Sequence, residues 1–329
     1  CTSVSGGLSP RSSARAAWSS VSPVPVRTEP ISGGASALQT PDGQSSRVGR
    51  SAIASHRSAR SMGAVQPDID VLGLSIKTFG LFFALNFACW GLLCARRLKE
   101  IGKPPDWAYE IVTVALIGGL VGARLYWLAE QGGEVSVGDV FGGSGLTWYG
   151  GLAGGIVAVV IWAWRRDFLN NQLLDIAGPC LALGYAIGRI GCQISGDGDY
   201  GKEWDGPWAM GYPDGVVPTD PGVTVHPTPI YETLTMGLLA WVLWSLRDRV
   251  RPGLLFAGYL VGGGLERFLV EFLRRNDPAA LGLTAPQLES LALVAIGVAW
   301  MAVVRRRHGS LLLPDDERPE RARSVPARA

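Results

Sequence analysis

The chain has 329 residues, of which 47% are hydrophobic and only 18% charged, and its formal net charge is +2. A soluble protein of this size carries charged residues over nearer a quarter of its length, so the deficit indicates a protein that contacts lipid. Its five cysteines include no CxxC pair and no metal-type spacing, which argues against a disulfide framework and a zinc site. We predict no metal, no cofactor and no nucleic-acid partner.

Residues 1–66 are predicted to form a disordered extension. The tract is rich in Ser, Arg, Ala, Gly and Pro and has too few large apolar residues to offset the entropy of ordering. The chain begins with Cys1, whereas Met62 stands shortly before the first apolar run. One interpretation is that the tract lies upstream of a true start at Met62. The alternatives are a transit-like segment and a mature lipoprotein whose Cys1 carries lipid.

From Val71 onward the chain contains a series of apolar stretches close to the roughly 20 residues that a membrane helix needs. We therefore predict an all-α, polytopic membrane domain over residues 67–307 with about seven transmembrane helices. The predicted spans are residues 71–95, 108–129, 147–164, 174–194, 229–246, 253–273 and 285–304. Residues 308–329 are polar and basic and are predicted to form a cytoplasmic tail.

The charges between the spans predict an orientation. Basic residues follow the first, third, fifth and seventh spans, whereas acids dominate the loops after the second and fourth spans. By the positive-inside rule, the N-terminus of the membrane domain is outside, the C-terminus is cytoplasmic, and residues 195–227 form an outer loop. Arg274 and Arg275, which follow the sixth span, do not fit this rule.

With this topology, the uncommon polar residues of the spans gather towards their outer ends. They are Arg124, Tyr149, Arg189, His226, Tyr231, Glu232, Arg267, Glu271 and Gln287. A charged residue in hydrocarbon costs roughly 2.5 to 3.5 kcal/mol on insertion scales, so chains seldom place one there without a function. The pattern predicts a polar cavity in the outer leaflet.

Arg267 and Glu271 are four residues apart and share one helix face. One interpretation is an ion pair that lowers the cost of burying both charges, and the other is a cationic site with an acid that orients the arginine or handles a proton. Arg189 adds a second guanidinium from another span. The sequence shows no matching excess of buried carboxylates, so we predict that the two arginines bind an anion, and a lipid phosphate suits arginine best.

Two further residues have both a structural and a functional interpretation. His226 lies in the stretch Val-His-Pro-Thr-Pro-Ile-Tyr-Glu, where it is either a structural hydrogen-bonding residue or a base. Tyr149 and the preceding Trp148 are either part of an interfacial aromatic belt or part of the site.

Several ordered stretches resemble one family. They are Gly188 to Gly201, which contains Gly-Arg-Ile-Gly, Gly-Ala-Arg-Leu-Tyr at 122–126, Tyr-Gly-Gly-Leu at 149–152, His-Pro-Thr-Pro-Ile-Tyr-Glu at 226–232, and Arg-Phe-Leu-Val-Glu-Phe-Leu-Arg at 267–274. Together with Gln287 and Ser290 in the last span, they resemble the bacterial prolipoprotein diacylglyceryl transferases. The resemblance covers about residues 70–305 in matching order, which makes it specific although each motif alone is weak.

This resemblance implies a multi-pass enzyme of the bacterial inner membrane. Its partners would be phosphatidylglycerol, the prolipoprotein signal peptide with its lipobox cysteine, and membrane lipids. The enzyme would move the diacylglyceryl group from phosphatidylglycerol to the lipobox cysteine. Arg189 and Arg267 match the family's phosphate-handling arginines, and Glu271 matches its conserved acid. The matching residues with supporting roles are Arg124, Gly201, Tyr231 and Glu232.

The chain departs from the family pattern at three positions. Tyr149 stands where members often carry a histidine proposed to act in catalysis, Cys192 where they often have asparagine, and Phe79 where they often have tyrosine. The predicted catalytic residues are therefore Tyr149, His226 and Glu271, any of which could activate the incoming thiol.

Two other functions remain open at the level of sequence. A non-catalytic membrane carrier of an anionic lipid or metabolite would also have buried arginines. A related transferase with a different acceptor would fit the missing histidine.

Overall fold

The structure is a computed structural model, which describes residues 65–71, 74–130 and 147–320. All but the last two residues of the predicted disordered extension lie outside the described residues, as do the end of the predicted tail and residues 131–146. Within the described part, a short antiparallel hairpin precedes seven helices. The predicted fold class, a helical polytopic membrane protein, is confirmed.

Each predicted span falls on one helix. The elements are β1 Asp68–Val71, β2 Leu74–Lys77, α1 Thr78–Glu100, α2 Trp107–Glu130, α3 Trp148–Arg165, α4 Asn171–Ser195, α5 Thr228–Leu246, α6 Leu254–Glu271 and α7 Ala285–His308. The loops between helices on the described chain are short except for the one that joins α4 to α5.

The start of the first span differs from the prediction. Residues 71–77 were included in that helix, but the structure places them in the hairpin, where Asp68 pairs with Lys77 and Val71 with Leu74. Apolar and polar residues alternate through most of residues 68–77, and this period of two favours strands over a helix. The uninterrupted apolar run that favours the helix begins only after Thr78.

Four helices, α1, α2, α4 and α7, are long and apolar enough to cross a membrane, and Tyr149–Arg165 forms a shorter apolar helix. Among the described helices, α5 and α6 fall below the same measure. Both carry ionisable residues, Glu232 in α5 and Glu266, Arg267 and Glu271 in α6. These two helices carry several of the predicted site residues, whereas Arg189 lies on α4, which is apolar enough to cross a membrane.

Helix α4 is the centre of the fold and packs against α1, α5 and α6. Asn170 caps its N-terminus by accepting hydrogen bonds from the backbone N–H groups of Gln172 and Leu173. A methyl group at Gly178 would lie 2.9 Å from the carbonyl oxygen of Leu255, so only glycine permits the close approach to α6. The helix ends at Gly196, whose φ of 60° lies in the left-handed region. Arg189 is therefore in the last two turns of the helix.

Helices α2 and α3 form a second closely packed pair. A Cβ atom at Gly154 would lie 2.7 Å from the Cα atom of Gly122, which no larger residue allows. Small residues at such positions let membrane helices approach each other, and the structure accounts in this way for the glycines of these two spans.

A group of charged residues joins the end of α1 to the end of α5, and we call it the Arg97 network. Its members are Arg97, Glu100, Arg247 and Asp248. Arg97 Nη1 lies 2.7 Å from Asp248 Oδ1, and Arg247 Nε lies 2.9 Å from Glu100 Oε2. Arg247 is fifteen residues after Glu232 in the chain, so the network and the predicted site lie about 22 Å apart along α5 and its end.

The first residues after α7 pair with the loop after α5. The backbone N–H of Leu313 donates to Arg249 O at 2.9 Å, and that of Arg251 donates to Leu311 O at 3.1 Å. This part of the predicted tail is therefore held against the helical domain at the end that carries the Arg97 network.

Candidate active site

Three arginines and three carboxylates form one group where α4, α5, α6 and the loop after α4 meet. We call this group the Arg189 cluster. Its members are Arg189, Asp199, Glu232, Arg267, Glu271 and Arg274. The predicted residues Arg189, Glu232, Arg267 and Glu271 are therefore brought together.

Glu232 lies at the centre of the cluster, and its side chain is fully buried. Its Oε2 is 3.2 Å from Arg189 Nε, and its Oε1 is 3.3 Å from Arg267 Nη1. The hydroxyl of Tyr185 donates to Oε1 at 2.7 Å. One carboxylate thus joins the two arginines that the sequence predicted to act together.

Glu271 holds Arg267 from the other side. Its Oε2 lies 2.9 Å from Arg267 Nη2 and 3.9 Å from Arg274 Nε. Its Oε1 accepts hydrogen bonds from Asn276 Nδ2 at 2.6 Å and from Thr284 Oγ1 at 2.9 Å. Its Oε2 makes these ion pairs without a hydrogen bond among the described residues, and its Oε1 is hydrogen-bonded, so Glu271 is suited to positioning Arg267.

Asp199 brings the loop after α4 into the cluster. Its carboxylate contacts Arg189 Nη1 and lies 2.5 Å from Arg274 Nη2. Burial raises the pKa of Asp199, but the charges of the two arginines outweigh it and hold this pKa below its ordinary value. Arg274 is thus paired, and Arg275 lies 4.5 Å from the centre of the Tyr200 ring, which accounts for the two arginines that do not fit the positive-inside rule.

The expectation that the arginines have no matching buried carboxylates is wrong, because Glu232, Glu271 and Asp199 match the three arginines. The exposed fractions of the side chains show what remains accessible. Glu232 and Glu271 are 0% exposed, whereas Arg267 is 23% and Arg189 15% exposed. Glu232 and Glu271 are thus more buried than the arginines that they hold, whereas Asp199, which is 32% exposed, is the most exposed member of the cluster.

Glu266 of α6 is a further buried acid beside the cluster. It is 9% exposed, and its Oε1 has no hydrogen-bond partner within the described residues. In the sequence, Glu266 is adjacent to Arg267 and resembles one more helix charge, so it was not among the predicted site residues.

His226 and Tyr231 lie in an aromatic group. The ring of His226 stacks on Trp204 with centroids 4.4 Å apart, and its Nδ1 is 3.3 Å from Tyr231 Oη. Trp208 Nε1 donates to the same Tyr231 oxygen at 2.7 Å. Among the hydrogen bonds and ring contacts of the described chain, the His226 ring has none with the Arg189 cluster, which favours its structural interpretation.

Tyr149 begins α3 and is joined to α7. Its hydroxyl donates to Glu289 Oε1 at 3.0 Å. A phenol that donates to a carboxylate is held in its neutral form, so Tyr149 alone is not prepared to act as a base. Arg124, predicted to support the site, places its guanidinium 4.6 Å from the centre of the Trp127 ring.

Gly201 lies where the loop after α4 packs on the end of α6. A methyl group there would lie 2.6 Å from Leu273 O and 2.9 Å from His226 Cβ. Its N–H donates to His226 O, and the next residue, Lys202, donates its N–H to Leu273 O at 2.7 Å. The predicted supporting role of Gly201 is consistent with this close backbone packing.

Gln287 caps α7. Its side-chain oxygen accepts a hydrogen bond from the backbone N–H of Thr284 at 3.0 Å, and the Thr284 hydroxyl completes the capping box. The same hydroxyl donates to Glu271, so the cap also supports the Arg189 cluster.

One group of possible metal ligands adjoins the cluster. Cys192, Asp197 and Asp199 have ligand atoms within 4.8 Å of one another. Arg189 Nη1 contacts the Asp199 carboxylate and lies 3.9 Å from Cys192 Sγ, so a guanidinium occupies the position that would attract a cation. These residues therefore do not fit a metal site.

Comparison with known proteins identifies the family. A sequence model of the family described as prolipoprotein diacylglyceryl transferase matches residues 68–303, from the hairpin to α7. The chain belongs to this family.

Individual relatives match over most of their own length. A phosphatidylglycerol–prolipoprotein diacylglyceryl transferase of Rhodospirillum centenum is 31% identical over 272 residues, which cover 76% of this chain and 95% of the relative. Proteins of the same name from Acinetobacter baumannii (strain SDF) and Clostridium tetani are 32% and 29% identical, covering 71% and 70% of this chain and 92% and 93% of the relatives.

Several residues of the site were missed by sequence reasoning. They are Tyr185, Asp199, Glu266, Arg274 and Glu289. Two of them carried a usable signal: Tyr185 is four residues before Arg189 and shares its helix face, and Arg274 did not fit the charge rule. Asp199 and Glu289 had none, because their roles depend on contacts with distant segments.

Proposed function

We propose that this protein transfers the diacylglyceryl group of phosphatidylglycerol to the lipobox cysteine of prolipoproteins, and that the Arg189 cluster is where the phosphate binds. Family membership and the names of the relatives support the reaction. The observation that carries the assignment of the site is the arrangement around Glu232: this carboxylate is fully buried, whereas the two guanidinium groups that it holds, those of Arg189 and Arg267, are partly exposed.

Phosphate would bind to the exposed parts of Arg189 and Arg267. Both guanidinium groups are held by Glu232, so their free N–H groups are fixed before the lipid arrives. Arginine forms paired hydrogen bonds with phosphate oxygens, which suits this arrangement. The three carboxylates balance the three arginines, so phosphate would bind through directed hydrogen bonds from the guanidinium groups rather than through an excess of positive charge.

The reaction exchanges one bond for another at a glyceryl carbon. The cysteine sulfur attacks this carbon, a carbon–sulfur bond forms, and the carbon–oxygen bond to phosphate breaks. The bonding electrons leave with the phosphate oxygen, giving glycerol phosphate and a thioether-linked lipid. Negative charge grows on the phosphate as the bond breaks, and arginines fixed in advance stabilise that charge, an effect typically worth about 10²- to 10³-fold in rate per donor.

The proposed function also includes an orientation of the protein in the membrane. We place the Arg189 cluster towards the outer face of the bacterial inner membrane and the Arg97 network towards the cytoplasm. The basic residues after the first, third, fifth and seventh helices support this orientation. Attaching a cysteine reporter to either end and labelling it with a membrane-impermeant reagent tests it, because only the outer end should react.

The reaction is tested in cells depleted of their own transferase. Expression of this protein should restore the lipid on a reporter prolipoprotein, and a reporter that stays unmodified beside a stably inserted protein would refute the proposal. In purified form, phosphatidylglycerol vesicles and a lipobox peptide should yield glycerol phosphate. A carrier would release none, and replacing the peptide's cysteine with serine provides the matched control.

A further inference from the structure

Glu289 is an exposed carboxylate in the second turn of α7, an apolar helix long enough to cross a membrane. A carboxylate at such a position is costly next to lipid and calls for a reason. The capping of α7 does not need it, because Thr284 and Gln287 form the capping box. The structure gives Glu289 one described partner, the hydroxyl of Tyr149.

This pair lies next to the Arg189 cluster. Thr284 at the start of α7 donates to Glu271, and Glu289 is five residues further on, about 7.5 Å along the helix axis. From α6, Arg267 acts electrostatically on Tyr149, as does Tyr126 of α2. The pair is thus near the arginines that we assign to phosphate, but it is outside their ion pairs.

The proposed reaction needs a group that accepts the thiol proton, and the two other predicted bases are held by their neighbours. Glu271 is buried, with its Oε1 hydrogen-bonded and its Oε2 paired with Arg267. The His226 ring stacks on Trp204 and has no hydrogen bond to the cluster among the described residues. Tyr149 donates its own proton to Glu289 at 3.0 Å, and a phenol that donates one hydrogen bond is also chemically able to accept another.

We propose that Tyr149 and Glu289 act together as the base of the transfer, an inference that rests on the proposed function. The lipobox thiol donates to Tyr149 Oη, Tyr149 passes its phenol proton to Glu289, and the phenol is restored by the thiol proton. The thiolate then forms the carbon–sulfur bond while glycerol phosphate leaves with the electron pair. Glu289, which is exposed, finally releases the proton to water, so one proton leaves for each thiol that is converted.

A purely structural role is the competing explanation, in which the hydrogen bond only ties α3 to α7. The structural and the catalytic explanation predict a different dependence of the transfer rate on the acceptor peptide. A structural defect slows transfer to every acceptor, whereas loss of a base matters only when the acceptor must lose a proton. A selenocysteine peptide separates these cases, because a selenol is already ionised at neutral pH.

The experiment uses the purified protein in phosphatidylglycerol vesicles with two lipobox peptides, one with cysteine and one with selenocysteine. Glu289→Gln, Glu289→Leu and Tyr149→Phe should each slow transfer to cysteine by about 10²-fold or more, the usual contribution of a general base. Their rates with selenocysteine should equal that of the wild type. Tyr149→His in the Glu289→Gln background should restore transfer to cysteine, because imidazole can accept the proton directly.

The matched control is Glu110→Gln in α2, an acid that accepts a hydrogen bond from Trp162 Nε1 at 2.7 Å and belongs to neither group. It should leave both rates unchanged. Equal losses with both peptides, or full activity of Glu289→Leu or Tyr149→Phe with cysteine, would overturn the base assignment while leaving the transferase intact. A wild type that modifies neither peptide would instead refute the proposed function.

Discussion

The Arg189 cluster and the Arg97 network are both balanced groups of arginines and carboxylates, but they differ in which charges are shielded. In the network, the side chain of Arg97 is 13% exposed and that of Asp248 is 10% exposed, so the arginine and the carboxylate are buried to a similar extent. In the cluster, Glu232 is 0% and Arg267 23% exposed. The two groups therefore differ around one residue: Glu232 is fully buried beside partly exposed arginines, whereas no acid of the network is covered more completely than its partner by a similar margin.

The hydrogen bonds support the same contrast. Arg97 donates to Asp248 and also to the backbone carbonyl of Arg247, which joins the ends of α1 and α5. The arginines of the cluster are held by side chains from α5, α6 and the loop after α4. The first arrangement joins helix ends, whereas the second holds partly exposed guanidinium groups around the buried Glu232.

The largest effect is expected from Arg267→Ala and Arg189→Ala. Each should lower transfer by about 10²-fold or more, because a fixed positive charge opposite the leaving phosphate is lost. Each substitution also removes one of the positive charges that balance the buried Glu232 carboxylate. Breaking a buried ion pair typically costs about 3–5 kcal/mol of stability. Lipidation of a reporter and thermal unfolding in detergent measure the two effects separately.

Arg247→Ala in the Arg97 network is the matched control. It should lower the unfolding temperature without lowering the transfer rate of the folded protein. Equal losses of transfer from Arg247→Ala and Arg267→Ala would remove the functional distinction between the two groups.

Glu232→Gln should have the next largest effect. The substitution keeps the size of the side chain but removes the charge that holds both Arg189 and Arg267. We expect transfer to fall about tenfold, mainly through a lower kcat, since the guanidinium groups would no longer be fixed in advance. Glu100→Gln in the network should leave kcat unchanged; a normal kcat in Glu232→Gln would show that the arginines need no positioning.

Gly201→Ala tests whether the loop after α4 must pack closely on α6. The added methyl group would lie 2.6 Å from Leu273 O, so the loop must shift, which typically costs about 1–3 kcal/mol. The loop carries Asp199, so we also expect a reduced transfer rate. Gly80→Ala, with no atom near the added methyl group, is the control and should unfold at the wild-type temperature.

The smallest effect concerns pH. The pKa of Asp199 is lowered in the folded protein, so the carboxylate contributes stability above the carboxyl pKa of the unfolded chain, about 3.9, and loses it as the pH falls through the lowered value. The difference in unfolding temperature between the wild type and Asp199→Asn should be constant from pH 7 to 5, correspond to about 1 kcal/mol, and shrink below pH 4. A difference that grows in acid would contradict the ion pairs assigned to Asp199.

Sequence reasoning predicted the helices well because each apolar run is long and bounded by charges. It also brought Arg189, Glu232, Arg267 and Glu271 to one end of the bundle, because alternate spans run in opposite directions. It could not predict that Glu232 bridges the two arginines, since this depends on the rotation of α5 about its axis. The rotation is set by packing against α4 and α6.

By itself, the sequence determined the membrane helices, their order, the family motifs and the gathering of uncommon polar residues, because these follow from local composition and spacing along the chain. Only the tertiary structure decided which charges compensate each other, that His226 belongs to an aromatic group, and that Tyr149 is joined to Glu289. Each of these contacts joins segments far apart in the chain. Their formation depends on how glycine-lined helices approach and rotate, which no local pattern specifies.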